Sequence, residues 1–341
     1  MSDSFPPKPT MAVIAEQASV SLSTVSKVLN GRKGVSAGTR ERVEQLLHEH
    51  GYLRPGDFGR SGGLIEVVVE QGLSSMWALE IVRGVEAIAR QQGLSIVLTQ
   101  TQARHDPGAA WIDGVARRRP VAVILVLTDL SADHKRRLQT RNIPFVLIDP
   151  AGSPDADVSS VGATNWAGGV AATEYLISLG HRELGIITGP SDMLCTHARL
   201  SGFRHAVENA GLSLKPGRIV PGDFTRDSGV AAGLRLLGGP DRPSAVFCSN
   251  DMEALGVYEA ARRLGLSIPD DVSVVGFDDI PLAGWITPGL TTITQPLEQM
   301  ASEAVKIVLR AEDAATGGTR LELATKLKIR ESTAPPAKSF Q

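Results

Sequence analysis

Polar residues follow three short apolar runs. Asp149 comes directly after residues 145–148, Asn250 and Asp251 after 245–248, and Asp278 after 272–277. Short runs rich in β-branched residues read as buried strands, so the residues that end them emerge at one edge of a sheet. Carboxylates accept hydrogen bonds there, and amides both donate and accept. Arg199, in Ala198-Arg-Leu-Ser-Gly-Phe203 at a helix start, adds a forked donor, and Gln295 adds another amide. Trp77 and Trp166 each stand near the start of a helical segment and offer flat faces of the kind on which sugar rings stack, although both also suit core packing where aromatics are only 4% of the chain. Such a set fits a neutral polyhydroxylated ligand, because a phosphorylated one would want more cations.

Little else in the sequence carries chemistry. There is no GxxxxGK[ST] phosphate loop, no GxGxxG after a strand and no HExxH pair. No nucleophile, base and orienting group can be assembled, so no enzymatic activity and no cofactor is expected. The adjacent carboxylates Asp278 and Asp279 read as ligand-binding or capping groups. His48 and His50 alternate on a helix and point to different faces, and Cys195 and Cys248 have no CxxC partner, so no metal site is expected either.

The strand-end residues need a scaffold, and from residue 64 onward the chain supplies one. Strand-like runs at 64–69, 95–99, 121–127, 145–148, 184–188, 245–248 and 272–276 alternate with helical segments. That alternation implies parallel sheets covered on both faces, a doubly wound α/β body. Interruptions near 150–162 and 280–295 divide it into two similar lobes. The first is expected over about 64–160 plus 296–318, and the second over about 161–292 plus 319–335. Such a body places its ligand cleft between the lobes, at the carboxyl ends of the strands.

The first sixty residues differ. Thr10, Ser21 and Ser36 are N-cap residues for three short helices, and only Ser19 and Val20 separate the first two, the spacing of a helix-turn-helix unit. In the second helix Val25, Val28 and Leu29 face inward, while Ser23, Ser26, Lys27 and Asn30 share the opposite side. The same periodicity fits a solvated face in a generic helical cap. Four glycines and a proline between residues 53 and 63 mark a linker, which separates a headpiece over 1–52 from the body over 64–341. The 341 residues carry a net charge of −2, yet the first sixty are mildly basic and the remainder acidic. Apolar runs fall far short of the roughly 20 residues of a membrane span, and prolines replace an apolar signal core at the N-terminus, so a cytoplasmic chain is expected.

The segment from Thr10 to Asn30, Val35-Ser-Ala-Gly-Thr-Arg-Glu-Arg-Val43 and Gly51-Tyr52 together closely resemble the headpiece of the LacI/GalR family. Leu179-Gly-His181, Arg199 to Phe203, Asn250-Asp251 with Ala254 and Gly256, Val274 to Asp279, and Leu290 to Ile293 with Gln295 extend the resemblance over the body. It implies a homodimeric, sugar-responsive repressor that binds a palindromic double-stranded DNA operator and whose body looks like a periplasmic sugar-binding protein. By this resemblance Leu22 and Ser23 match positions that reach base edges, with Lys27 one turn on. Thr10, Ser21, Thr24 and Asn30 match positions that hold phosphates or the helix register, and Ser26 and Arg32 join that DNA-facing set. Asp149, Arg199, Asn250, Asp278 and Gln295 match effector-contacting positions, and Trp77 falls where the family often has an aromatic; Trp166 is the further expected contact. Two departures stand out: Val13 takes the place of an acidic residue in the first helix, and the linker after Pro55 lacks the usual Asn and the wedge Leu, with Phe58 nearby. The readings left open are a nucleobase-like corepressor on the same DNA-binding regulator and, from another class, a sugar-binding transport protein.

Overall fold

The computed structural model describes residues 11–29, 34–49, 63–70, 75–101, 109–310 and 318–337. Thr10, Asn30, Arg32 and the linker with Pro55 and Phe58 lie outside them. Helix α1 (Met11–Gln17), helix α2 (Leu22–Leu29) and helix α3 (Ala37–Glu49) enclose a small core of Ile14, Ala18, Val25, Val28, Val43 and Leu47. The turn between α1 and α2 is tight. Ser19 takes φ +53°, Val20 N–H donates to the Ala15 carbonyl at 2.9 Å, and the Ser21 hydroxyl caps α2 by accepting from Thr24 N–H at 3.2 Å. Ser36 caps α3 in the same way through Thr39 N–H at 3.3 Å. Helix α1 has no acidic residue in its first turn, as Val13 led one to expect.

Among the described residues the body holds two six-stranded sheets. The first contains β1 (Leu64–Glu70), β2 (Ser95–Thr101), β3 (Ala122–Val126), β4 (Phe145–Ile148), β5 (Ser160–Ala163) and β11 (Arg320–Leu323), in the order β11-β5-β4-β3-β1-β2, all parallel. The second contains β6 (Leu184–Thr188), β7 (Ile219–Pro221), β8 (Ala245–Cys248), β9 (Ser273–Asp278), β10 (Thr291–Thr294) and β12 (Lys326–Lys328), in the order β12-β10-β9-β8-β6-β7. Only β12 runs antiparallel, against β10. Helix α12 (Leu297–Leu309) returns to the first lobe and buries Met300, Ala301 and Val305 with Trp77 and Ile81 of α4 (Met76–Gln91).

The strand pairing moves the lobe boundaries expected from sequence. Residues 160–163 and 320–323 both belong to the first sheet, so the chain crosses at Thr164 and at 324–325 rather than near 160 and 318. Four-residue strands beside a Gly- and Pro-bearing stretch carry too little periodicity to be assigned from sequence. At these two crossings the hydroxyls of Thr164 and Thr325 lie 3.0 Å apart, and Thr325 N–H donates to Thr164 Oγ1 at 3.0 Å. Two of the three strands joining the lobes are thereby tied side by side.

Glycines let a helix pair of the second lobe approach closely. Helix α7 (Asn165–Ser178) meets α8 (Leu194–Asn209) so tightly that a Cβ on Gly202 would lie 2.3 Å from the Trp166 carbonyl, and one on Gly169 would lie 2.5 Å from the Arg199 carbonyl. This approach also brings Asn165, one turn before Gly169, to Arg199. Gly202→Ala is therefore expected to cost about 1–3 kcal/mol by overpacking, seen as a thermal midpoint lowered by several degrees. Gly38→Ala, on α3 with open space around it, should be neutral or slightly stabilising in the same melts.

Candidate functional site

A cavity of about 320 Å³ lies between the lobes, at the strand ends. The first lobe contributes Trp77 at the start of α4, Leu127 after β3 and Asp149 after β4; the second contributes Arg199 of α8, Phe224, Asn250 after β8 and Asp278 at the end of β9. Four of these, Leu127 (φ +56°), Asp149 (+47°), Phe224 (+68°) and Asp278 (+116°), have left-handed backbone. Non-glycine residues held there cost on the order of 1–3 kcal/mol each, a strain that collects at sites where a side chain has to be aimed.

Arg199 organises the polar wall. Its side chain is 3% exposed. Nε donates to Asn165 Oδ1 at 2.8 Å, Nη1 donates to the Ser249 carbonyl at 2.6 Å and stands 3.8 Å from Asp278 Oδ1, and the guanidinium lies over the Phe277 ring at 3.8 Å from its centroid. Asn165 passes the contact on, donating from Nδ2 to Asp149 Oδ1 at 3.4 Å. A chain of polar groups thus runs from the first lobe's Asp149 through Asn165 and Arg199 to the second lobe's Asp278. Gln295 stands behind Asp278 and donates from Nε2 to its Oδ1 at 2.7 Å.

The expected residues fall into groups. Trp77, Asp149, Arg199, Asn250 and Asp278 line one cavity. Trp77 is at the same time 7% exposed and part of the first-lobe core, so the two readings of it hold together. Gln295 does not line the cavity; it orients a residue that does. Trp166 is elsewhere, 44% exposed and against His205 with ring centroids 5.1 Å apart. Asp251 turns inward and accepts from Ile280 N–H at 2.9 Å and Thr292 Oγ1 at 2.5 Å. In the headpiece Ser21, Leu22, Ser23 and Lys27 are exposed on α2, and Thr24 and Ser26 are half-buried. Leu22 is 52% exposed, an apolar side chain left bare at the start of an otherwise polar face.

Asn165 and Phe224 escaped the sequence reading. Asn165 sits between Thr164 and Trp166 as the first helical residue after a crossing, where a polar side chain at a helix start passes for a cap. Phe224 is an aromatic inside the Gly- and Asp-bearing turn between β7 and α9 (Arg226–Leu237), and that mismatch of an apolar residue with a turn is the signal that marks it. Helix α10 (Asp251–Leu264) fixes it: Asn250 Nδ2 donates to the Phe224 carbonyl at 3.0 Å, and Phe224 N–H donates to Glu253 Oε1 at 2.9 Å.

Burial governs the charges. It pushes the Asp278 carboxyl up to about 7, partly offset by Arg199 and the Gln295 hydrogen bond. It also raises Asp149 against the opposing effects of Arg199 and Asn165, and raises Glu253 well above the usual carboxylate range. The Cys195 thiol, which also lines the cavity, is pushed up to about 12, first by burial and then by Asp149.

A carboxyl whose folded pKa exceeds its unfolded one contributes stability that is full below the unfolded value, near 4, and is lost as pH rises through the folded value. Unliganded protein should therefore lose stability between pH 5 and pH 8. Asp278→Asn, which cannot ionise, should lose less, so that variant and wild type are similar at pH 5 and the variant gains by roughly 1–3 kcal/mol by pH 8. Denaturant melts at the two pH values measure the difference; parallel losses would place the titration elsewhere.

The comparisons agree with this arrangement. Residues 10–55 match the family described as "Bacterial regulatory proteins, lacI family", and residues 173–333 match "Periplasmic binding protein-like domain". The HTH-type transcriptional repressor CytR of Escherichia coli (strain K12) is 34% identical over 304 residues, covering 88% of this chain and 89% of that protein. Among solved structures, a transcriptional regulator CelR–cellobiose complex superposes with a TM-score of 0.71 at 33% identity, over 95% of this chain and 99% of that one. The lac repressor dimer bound to operator and the anti-inducer ONPF superposes with a TM-score of 0.68 at 26% identity, over 96% and 100%. With a helix-turn-helix headpiece, a two-lobed body and a relative of this similarity over most of its length, the chain belongs to the LacI family of bacterial regulatory proteins.

Proposed function

We propose that this protein is a cytoplasmic, homodimeric repressor that binds a palindromic operator and is controlled by a small unphosphorylated sugar held between its lobes. The observation that carries the reading is the cavity whose polar groups come from both lobes, Asp149 from the first and Arg199 and Asp278 from the second, in a chain that also presents the exposed polar face of α2. A ligand bonded to all three has more contact with closed lobes than with open ones, and it shifts that equilibrium by the difference, typically about 1–3 kcal/mol. Asp149, Asp223, Asp227 and Asp278 outnumber Arg199 and Arg226 around the cavity, which disfavours a phosphate and favours hydroxyl donors. Phe224, a flat aromatic wall 5.9 Å from the Arg199 guanidinium, favours a nucleobase as the second reading. A transport binding protein has no use for α2.

One headpiece offers few phosphate and base contacts, so two on a two-fold dimer would read half-sites one helical turn apart, roughly 34–36 Å. Leu22, Ser23 and Lys27 are placed on base edges or phosphates in this reading, with Thr10, Ser21, Thr24, Ser26, Asn30 and Arg32 in support. Lys27→Ala, if it removes one phosphate contact, should weaken all sequences alike and reduce the salt slope by about 1. Ser23→Ala should cost about 1–3 kcal/mol and relax preference at one base pair. Gel shifts at several salt concentrations on the promoter next to the gene separate these outcomes, and unchanged binding by both variants would exclude α2 as the reading helix. In the same assay Asp278→Asn should bind operator normally yet lose its response to those members of a sugar and nucleoside panel that release the wild type.

A further inference from the structure

Resting on the sugar-controlled reading above, we propose that the effector has two sugar rings, and that the second ring lies in a separate flank cavity at Trp166. That cavity measures about 380 Å³. Asp149 and Cys195 line both it and the cavity described above, so the two adjoin along those side chains. Each volume falls at the low end of the roughly 300–1,000 Å³ of small-molecule sites, which suits one ring apiece.

Several features of the flank cavity point to a sugar. Of the six large apolar side chains exposed among the described residues, two, Trp166 at 44% and Leu194 at 43%, line it. His205 packs against Trp166, which steadies the indole at the lip. A flat apolar face of this kind meets the C–H face of a pyranose or furanose. The Ser160 hydroxyl supplies a donor and an acceptor for ring hydroxyls, and the Thr164 hydroxyl, already bonded to Thr325, can add an acceptor. Glu322 adds an exposed carboxylate that makes no hydrogen bond or ion pair among the described residues, while the Arg320 guanidinium is already engaged with the Pro154 carbonyl. With Asp149 and Glu322 facing one committed guanidinium, an anionic group is disfavoured here as it is in the main cavity.

The position of the flank cavity gives the second ring a role beyond affinity. Its walls come from β5 and β11 of the first lobe and from the starts of α7 and α8 of the second. It therefore lies beside the tied crossings Thr164 and Thr325, and a ring there adds contacts between lobes at the place where they turn. A disaccharide should then bind more tightly than either of its units and also shift operator binding further at saturation.

Calorimetric titration of the full-length protein tests this with glucose, xylose and fructose against cellobiose, xylobiose, maltose and sucrose, and with adenosine as a two-ring ligand that is not a disaccharide. We expect at least one disaccharide to bind about tenfold or more tightly than its monosaccharide. Trp166→Ala should remove about tenfold from the disaccharide alone, Trp166→Phe should restore most of it, and Trp285→Ala, at an exposed tryptophan that lines neither cavity, should change nothing. A monosaccharide that binds as tightly as any disaccharide, or a Trp166→Ala variant that weakens both alike or neither, overturns the flank subsite while leaving a sugar-controlled repressor intact. Adenosine binding more tightly than every saccharide replaces the second sugar with a base and overturns the assignment. Binding by no saccharide removes the sugar reading and this subsite together.

Discussion

Arg199 is the group on which the second lobe's face of the cleft depends. A guanidinium keeps its charge under all ordinary conditions, so burying one obliges its surroundings to supply acceptors. Here they are the Asn165 side chain, the Ser249 carbonyl, the Asp278 carboxyl and the face of Phe277. These groups come from α7, the end of β8 and the end of β9, and each is fixed in place by answering to the same cation. Asn165 then carries the arrangement across to Asp149 on the first lobe. Burial away from water raises the titration of both carboxyls, and the shared guanidinium offsets it only in part. A ligand that donates hydrogen bonds to them replaces water without importing charge.

Much of this was legible in the sequence because its signals were strong. The β-branched runs at 145–148, 245–248 and 272–277 could hardly be anything but buried strands, and their final polar residues had to emerge at one edge of a sheet; Asp149, Asn250 and Asp278 do so. The headpiece was equally readable, since Val25 and Val28 alternate with a polar face at helical spacing and Ser21 and Ser36 cap as expected. Features that depend on tertiary contact were not legible. Trp77 and Trp166 are each the second residue of their helices, yet Trp77 lines the main cavity from the first-lobe core and Trp166 lines the flank cavity, a difference that only the packing around each helix decides. Gln295 was grouped with the cleft residues, and only the packing shows that it holds Asp278 from behind. Strands as short as β5 and β11 show no period until their neighbours are known.

Strain and packing tell the same story at a finer scale. Phe224 is bulky, yet it is held with left-handed backbone by Asn250 and Glu253 of a single helix. The acid at Glu253 is fully buried, and its second oxygen has no hydrogen-bond partner. Such an arrangement persists only because the rest of the lobe outweighs it. The close glycine contacts of α7 with α8 contribute to that surplus. A change at Gly202, which lines neither cavity, acts on the site through the Asn165–Arg199 contact.

The thiol of Cys195 gives this architecture an unplanned use. With its proton held to about pH 12, it presents almost no thiolate at neutral pH, and thiolate is the species that reacts with alkylating reagents and oxidants. The thiol is therefore slow to react while the lobes keep water away from it. Parting the lobes would hydrate the sulfur, lower that barrier and raise its reactivity. The speed at which a maleimide labels this residue thus becomes a clock for lobe opening, built into the native chain and requiring no engineered probe.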